Sequence, residues 1–202
     1  MRTRGSPTVE TLVLIGIMFL IQQVAWFAGL TGLFALSVDV AMRPWTLVTS
    51  VYAHAGVVHL VTNAIGLAIL GPLVAYRTTR GKFHAFFLTT GILAGVAQVG
   101  IGSLLGPPHA VIGASGAIFA LLGYLLSGNV VSSWLLEKLS LPPRLQLIVF
   151  LLIAVLITLA TASPQSALIG HGAGLLMGLI AGRLRLRDNQ PAPSDPEPQE
   201  VI

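Results

Sequence analysis

Cysteine is absent from the 202 residues. That excludes a disulfide framework, a thiolate nucleophile and a cysteine-ligated metal. Charge is nearly as scarce, at 9% of residues against about 25% in an ordinary soluble domain. With 54% of residues hydrophobic and a mean hydropathy of +0.86, a disordered chain and a nucleic-acid-binding tail are also excluded. The scarcity is local as well as global. Residues 11–38, 44–76, 83–136 and 145–182 contain no Asp, Glu, Lys or Arg. Runs of this kind define a membrane protein.

A crossing helix needs about 20 apolar residues to span about 30 Å of hydrocarbon. At about 1.5 Å rise per residue, the third run would extend about 81 Å and the fourth about 57 Å. Each therefore folds back once, at Gly106-Pro107-Pro108 and at Ser163-Pro164, because proline ends helices. The expectation is an all-α membrane protein, a six-transmembrane-helix bundle with helices near 11–36, 54–75, 83–105, 113–133, 145–162 and 166–182. The first is too long, and too poorly matched to a cleavage site, for a secretory signal. With six crossings the termini share a side. That side holds Arg2, Arg4, Arg77, Arg80, Lys82, Lys138, Arg144, Arg183, Arg185 and Arg187, and the other holds only Arg43. Basic residues favour the cytoplasmic side, so both termini are expected there, in a multi-pass cell-membrane protein. The external loops are then 37–53, 106–112 and 163–165. Residues 1–10 form a short cytoplasmic N-terminus, 11–187 one six-helix domain, and 188–202 an acidic, proline-rich disordered tail. There is no internal three-helix repeat of the transporter kind.

Polar groups inside a bilayer are costly, so each demands an account. The six spans contain no Asp or Glu. This removes aspartyl-type catalysis, carboxylate proton relays and the metalloprotease pattern of two histidines and a glutamate. What is there falls into three clusters. The second span carries His54, His59, Thr62 and Asn63; the fourth begins Gly113-Ala114-Ser115-Gly116; the sixth begins Gly170-His171-Gly172-Ala173-Gly174. All three clusters belong to the external half of the membrane. His84 and His109 lie at interfaces away from them and carry no catalytic meaning.

His59 and Asn63 are four apart and share a helix face. They fit structural hydrogen bonds to neighbouring helices as well as a site. His54 and His59 are five apart, about 140° around the helix, which does not suit joint chelation. Ser115 lies in the first turn of a helix, where amide N–H groups lack partners and can receive an oxyanion; small residues there also simply pack helices. In the sixth span Gly170, Gly174, Gly178 and Gly182 form a strip for close helix approach, and the fourth span has Gly116, Ala120 and Gly123. If the two strips pack, Ser115 and His171 meet at their outer ends. A histidine beside a serine can take its proton and make it a nucleophile.

These residues resemble the rhomboid family of intramembrane serine proteases over nearly the whole chain. The carriers are His54-x4-His59-x3-Asn63, Gly113-Ala114-Ser115-Gly116, and His171 with Gly174. The resemblance implies Ser115 as nucleophile and His171 as general base. It implies an oxyanion hole of the Asn63 side chain, the His59 side chain and the Ser115 N–H. It further implies that Phe119 packs against the histidine, that Gly113, Gly116 and Gly174 support the pair, and that His54 is structural near the outer mouth. Trp45 resembles the tryptophan of the family's first external loop, with Thr46 where an arginine often follows and Arg43 just upstream. The implied substrates are other membrane-spanning proteins, cut in or near their transmembrane segments by the outer face of the lipid bilayer, where their helices unwind easily. Neither a cofactor, a metal nor a nucleic acid is expected.

Two other readings compete. A non-catalytic rhomboid-like binder of membrane proteins would most simply lack Ser115 or His171, and both are present. A transporter or channel leads one to expect a charged intramembrane residue or inverted repeats, and neither occurs.

Overall fold

The computed structural model describes residues 5–30, 32–127 and 168–188. The expected helix at 145–162, the turn at Ser163-Pro164 and the tail from 189 lie outside the described residues. The described elements are helical: α1 (Pro7–Phe27), α2 (Thr46–Tyr52), α3 (Val57–Ala75), α4 (Arg80–Leu105), α5 (Ser115–Ser127) and α6 (Leu168–Asp188). Of these, α1, α3 and α4 are long and apolar enough to cross a membrane. Large apolar side chains cover their outer faces, among them Val24, Val58, Ile69 and Leu93. Water does not favour such a continuous apolar exterior, whereas hydrocarbon does.

The first helix is shorter than its apolar run. It starts at Pro7, a residue suited to the first helical turn, and stops at Phe27 rather than 36. Gly29 adopts a left-handed φ of 75°. The Leu30 N–H then reaches back to Ala25 O (2.9 Å) and the Gly29 N–H to Trp26 O (3.0 Å), a glycine-terminated helix end. The apolar residues beyond it serve the loop instead. Leu36 pairs with Val111 in an isolated antiparallel bridge and is 1% exposed. The expected external loop 37–53 likewise contains a helix, α2. The segment before it is fastened by Trp45 Nε1–H donating to Leu33 O (3.0 Å) and by the Arg43–Asp39 ion pair (3.5 Å).

The second expected span begins three residues later than its expected start at 54, since α3 opens at Val57. His54 therefore sits in the connection ahead of the helix, where its N–H donates to Gln22 Oε1 of α1 (2.9 Å). The core lies between α1, α3, α4 and α5, around Ile15, Leu67, Phe83, Phe87, Leu121 and Leu125. At the end of the bundle where α1 begins, Glu10 Oε2 accepts from Arg80 Nε (2.8 Å) and meets His84 Nε2 (2.9 Å).

The tightest seam joins α5 and α6. A Cβ added at Gly174 would strike the Gly116 carbonyl, one at Gly178 the Ala120 carbonyl, and one at Gly123 the Leu175 carbonyl. The two main chains are in contact, and only residues without side chains permit it.

Candidate active site

The seam fixes the site. Ser115 is the first residue of α5 and His171 the fourth of α6. Their helices touch through Gly116 and Gly174, one position after Ser115 and three after His171. Ser115 Oγ consequently lies 2.8 Å from His171 Nε2, within reach for proton transfer. His171 is 5% exposed. Its ring stacks on Phe119, one turn along α5, with centroids 4.4 Å apart and planes 18° apart.

Ser115 also stands at a helix start. The Ile118 N–H closes the first turn onto Ala114 O (3.0 Å), so the amides before it have no helical acceptor. The strand of chain leading in is held by the Gly113 N–H donating to Ser50 O (2.8 Å). Gly113 has a left-handed φ of 128°, and a Cβ there would sit 2.6 Å from His59 Cε1. Glycine is thus needed both for the turn and for the imidazole resting on it.

Two cavities meet at Ser115. The larger, about 350 Å³, is lined by His59, Gln98, Ser115 and His171. The smaller, about 60 Å³, is lined by Asn63, Ser115, Ile118 and Phe119. Asn63 is buried, and its Nδ2 donates to His59 O of its own helix (2.9 Å). The neighbouring-helix bond considered for Asn63 is not the one formed. The amide carries two hydrogens, and this bond engages one. His54 is fully buried with its ring edge-on to His59, centroids 5.1 Å apart. The structure therefore gathers Ser115, His171, Asn63, His59, Phe119, His54, Gly113, Gly116 and Gly174 into one region. His84 belongs to the opposite end, and His109 is exposed in the connection between α4 and α5.

Gln98 and Gln22 escaped the reading of the sequence. Gln98 Oε1 accepts the Gly170 N–H (2.8 Å) in a buried contact. Both glutamines were visible as uncharged polar residues inside apolar runs, but nothing in the spacing named their partners.

A helical protein with membrane-capable apolar helices and a buried Ser–His pair at a glycine-lined seam is the class defined by these features. The chain belongs to the rhomboid family: the family model of the Rhomboid domain matches residues 41–188. It is 33% identical over 124 residues to the Rhomboid protease GluP of Bacillus subtilis, covering 60% of this chain and 20% of that protein. It is 28% identical over 171 residues to the Rhomboid-type serine protease 2 of Saccharomyces cerevisiae, covering 76% of this chain and 61% of that protein. The RHOMBOID-like protein 6, mitochondrial, of Arabidopsis thaliana is 28% identical over 146 residues, 72% of this chain and 45% of its own length. The chain thus spans less than two thirds of each of these relatives.

Proposed function

We propose that this protein is an intramembrane serine endopeptidase that cleaves other membrane-spanning proteins with a Ser115–His171 dyad. The observation that carries the proposal is the 2.8 Å approach of Ser115 Oγ to His171 Nε2 in a buried, cavity-lined site. Ser115 Oγ attacks the scissile carbonyl carbon while His171 Nε2 takes the hydroxyl proton. The carbonyl oxygen becomes an oxyanion, received by the Ser115 N–H, the second hydrogen of the Asn63 amide and the His59 ring. Collapse of the tetrahedral intermediate breaks the peptide C–N bond, and His171 returns the proton to the leaving amine. Water then attacks the acyl carbon as His171 Nε2 takes its proton, the Ser115 Oγ–C bond breaks, and His171 returns the proton to Ser115 Oγ. Phe119 holds the imidazole plane, and Gly113, Gly116 and Gly174 allow the close approaches.

The wider arrangement belongs to the same proposal. Six spans cross the cell membrane, both termini are cytoplasmic, residues 11–187 form the protease domain, and 188–202 form a solvated tail. The site then opens to the external half of the bilayer, where hydrolytic water is available and where substrate helices unwind. The test is cleavage of a membrane-spanning substrate by the purified protein, together with labelling of Ser115 by a fluorophosphonate. Cleavage and labelling are expected in the wild type and lost in Ser115→Ala. A fully active Ser115→Ala would remove the dyad.

A further inference from the structure

The start of α6 has to be held in place for His171 to reach Ser115. His171 is the fourth described residue of α6, beside the contact this helix makes with α4. The residue before it, Gly170, is buried against α4. A Cβ at Gly170 would come within 3.2 Å of Ala94 O and 3.4 Å of Gln98 Cβ. At that contact the Gly170 N–H donates to Gln98 Oε1 at 2.8 Å. Gln98 is 9% exposed and lines the same cavity as Ser115 and His171. On the other flank, a Cβ at Gly116 would strike Ala94 Cβ. Helices α4, α5 and α6 therefore meet within a few residues of the Ser–His pair. The small residues of that junction supply closeness but no direction. The Gln98 bond supplies direction, because it fixes one main-chain atom of α6 against α4.

We infer that Gln98 is a positioning residue for His171: by accepting the Gly170 N–H it sets the axial position and rotation of the first turn of α6, and so the reach of His171 to Ser115. The inference rests on the protease reading for its kinetic consequence but not for its geometry. A glutamine in an apolar span has a desolvation cost unless its amide is used. Here it bonds main chain rather than another side chain, so it acts on helix position. Misplacing a reacting group by about 1 Å can cost about 10²-fold in rate.

Two variants at Gln98, the reference variant Ser115→Ala and three readouts (turnover, His171 ring shifts and Gly170 amide exchange) test this. Gln98→Met keeps the length and removes the acceptor; Gln98→Glu keeps an acceptor oxygen at the same reach. In Gln98→Met, kcat should fall by roughly 10- to 10²-fold with KM unchanged, and Gln98→Glu should recover most of it. The ¹⁵N shifts of the His171 ring, which report its bond to Ser115, should move in Gln98→Met toward those of Ser115→Ala. The Gly170 amide should exchange faster in Gln98→Met than in the wild type. Wild-type kcat in Gln98→Met, or unmoved His171 shifts, overturns the inference. If Gln98→Met fails to fold, amide exchange in the wild type decides. A protected Gly170 amide supports the bond, and one as fast as an unstructured amide removes it. The ring shifts and amide exchange need no turnover, so a wild type that cleaves nothing would sink the protease reading while positioning is still measured.

Discussion

Ser115 and His171 share one hydrogen bond of 2.8 Å, so in the proposed dyad losing either ends the same event. Ser115→Ala and His171→Ala should each abolish proteolysis, and the double variant should be no slower than either, because groups acting as a unit do not add. Turnover of the three purified variants on one substrate checks this, and additive losses would contradict the dyad. Asn63 makes a finer distinction. Its amide is anchored on His59 O of its own helix, so removing it cuts no bond between helices. If Asn63 has the proposed oxyanion role, Asn63→Ala should lower kcat by about 10²–10³-fold, with the melting temperature nearly unchanged. Near-normal turnover would take Asn63 off the catalytic side of the site. The serine, the histidines and the asparagine were legible because such polar types are rare in apolar spans. Gln98 was equally visible as a letter, but its role lies in a bond to main chain seventy-two positions away, which no spacing encodes.

Among the elements, the α5–α6 seam was the most legible, because glycine every fourth residue has one common physical use in a span. The end of α1 was the least. An unbroken apolar run hid the Gly29 turn, and the loop residues after it are apolar for another reason: Leu36 is buried in its bridge to Val111. Short α2 was invisible for a different reason: seven residues do not establish a period. The seam can be tested by contrast along α6. Among the described residues nothing lies within 4 Å of where a Gly172 Cβ would be, whereas Gly178 faces the Ala120 carbonyl. Gly178→Ala should destabilise the protein by about 1–3 kcal/mol through forced separation of the helices. Gly172→Ala should be neutral or slightly stabilising, because alanine favours helix over glycine. Thermal unfolding of the two variants side by side reads the difference, and equal melting temperatures would mean the helices are not in main-chain contact.

For the whole molecule, the ten-to-one division of basic residues across the expected loops carries the proposed orientation. The Glu10–Arg80–His84 cluster ties α1 to α4 at the end carrying the N-terminus, at the other end of α4 from the connection that leads to Ser115. Lack of native cysteine makes orientation directly measurable. Single cysteines at Ser6 and Gly106 should respond oppositely to an impermeant thiol reagent added outside, with only position 106 labelled. Equal labelling would reverse or abolish the proposed topology. At Gly116–Gly174 and Ala120–Gly178 main chain rests on main chain, and no pliable side chain separates α5 from α6 at those points. A thinner or thicker bilayer tilts helices, but two helices in such contact tilt together. Across lipids of graded acyl-chain length, the rate at which a small fluorophosphonate modifies Ser115 should stay level. Cleavage of a membrane-spanning substrate should still vary, since lipid thickness then acts on how the substrate arrives rather than on the separation of serine and histidine.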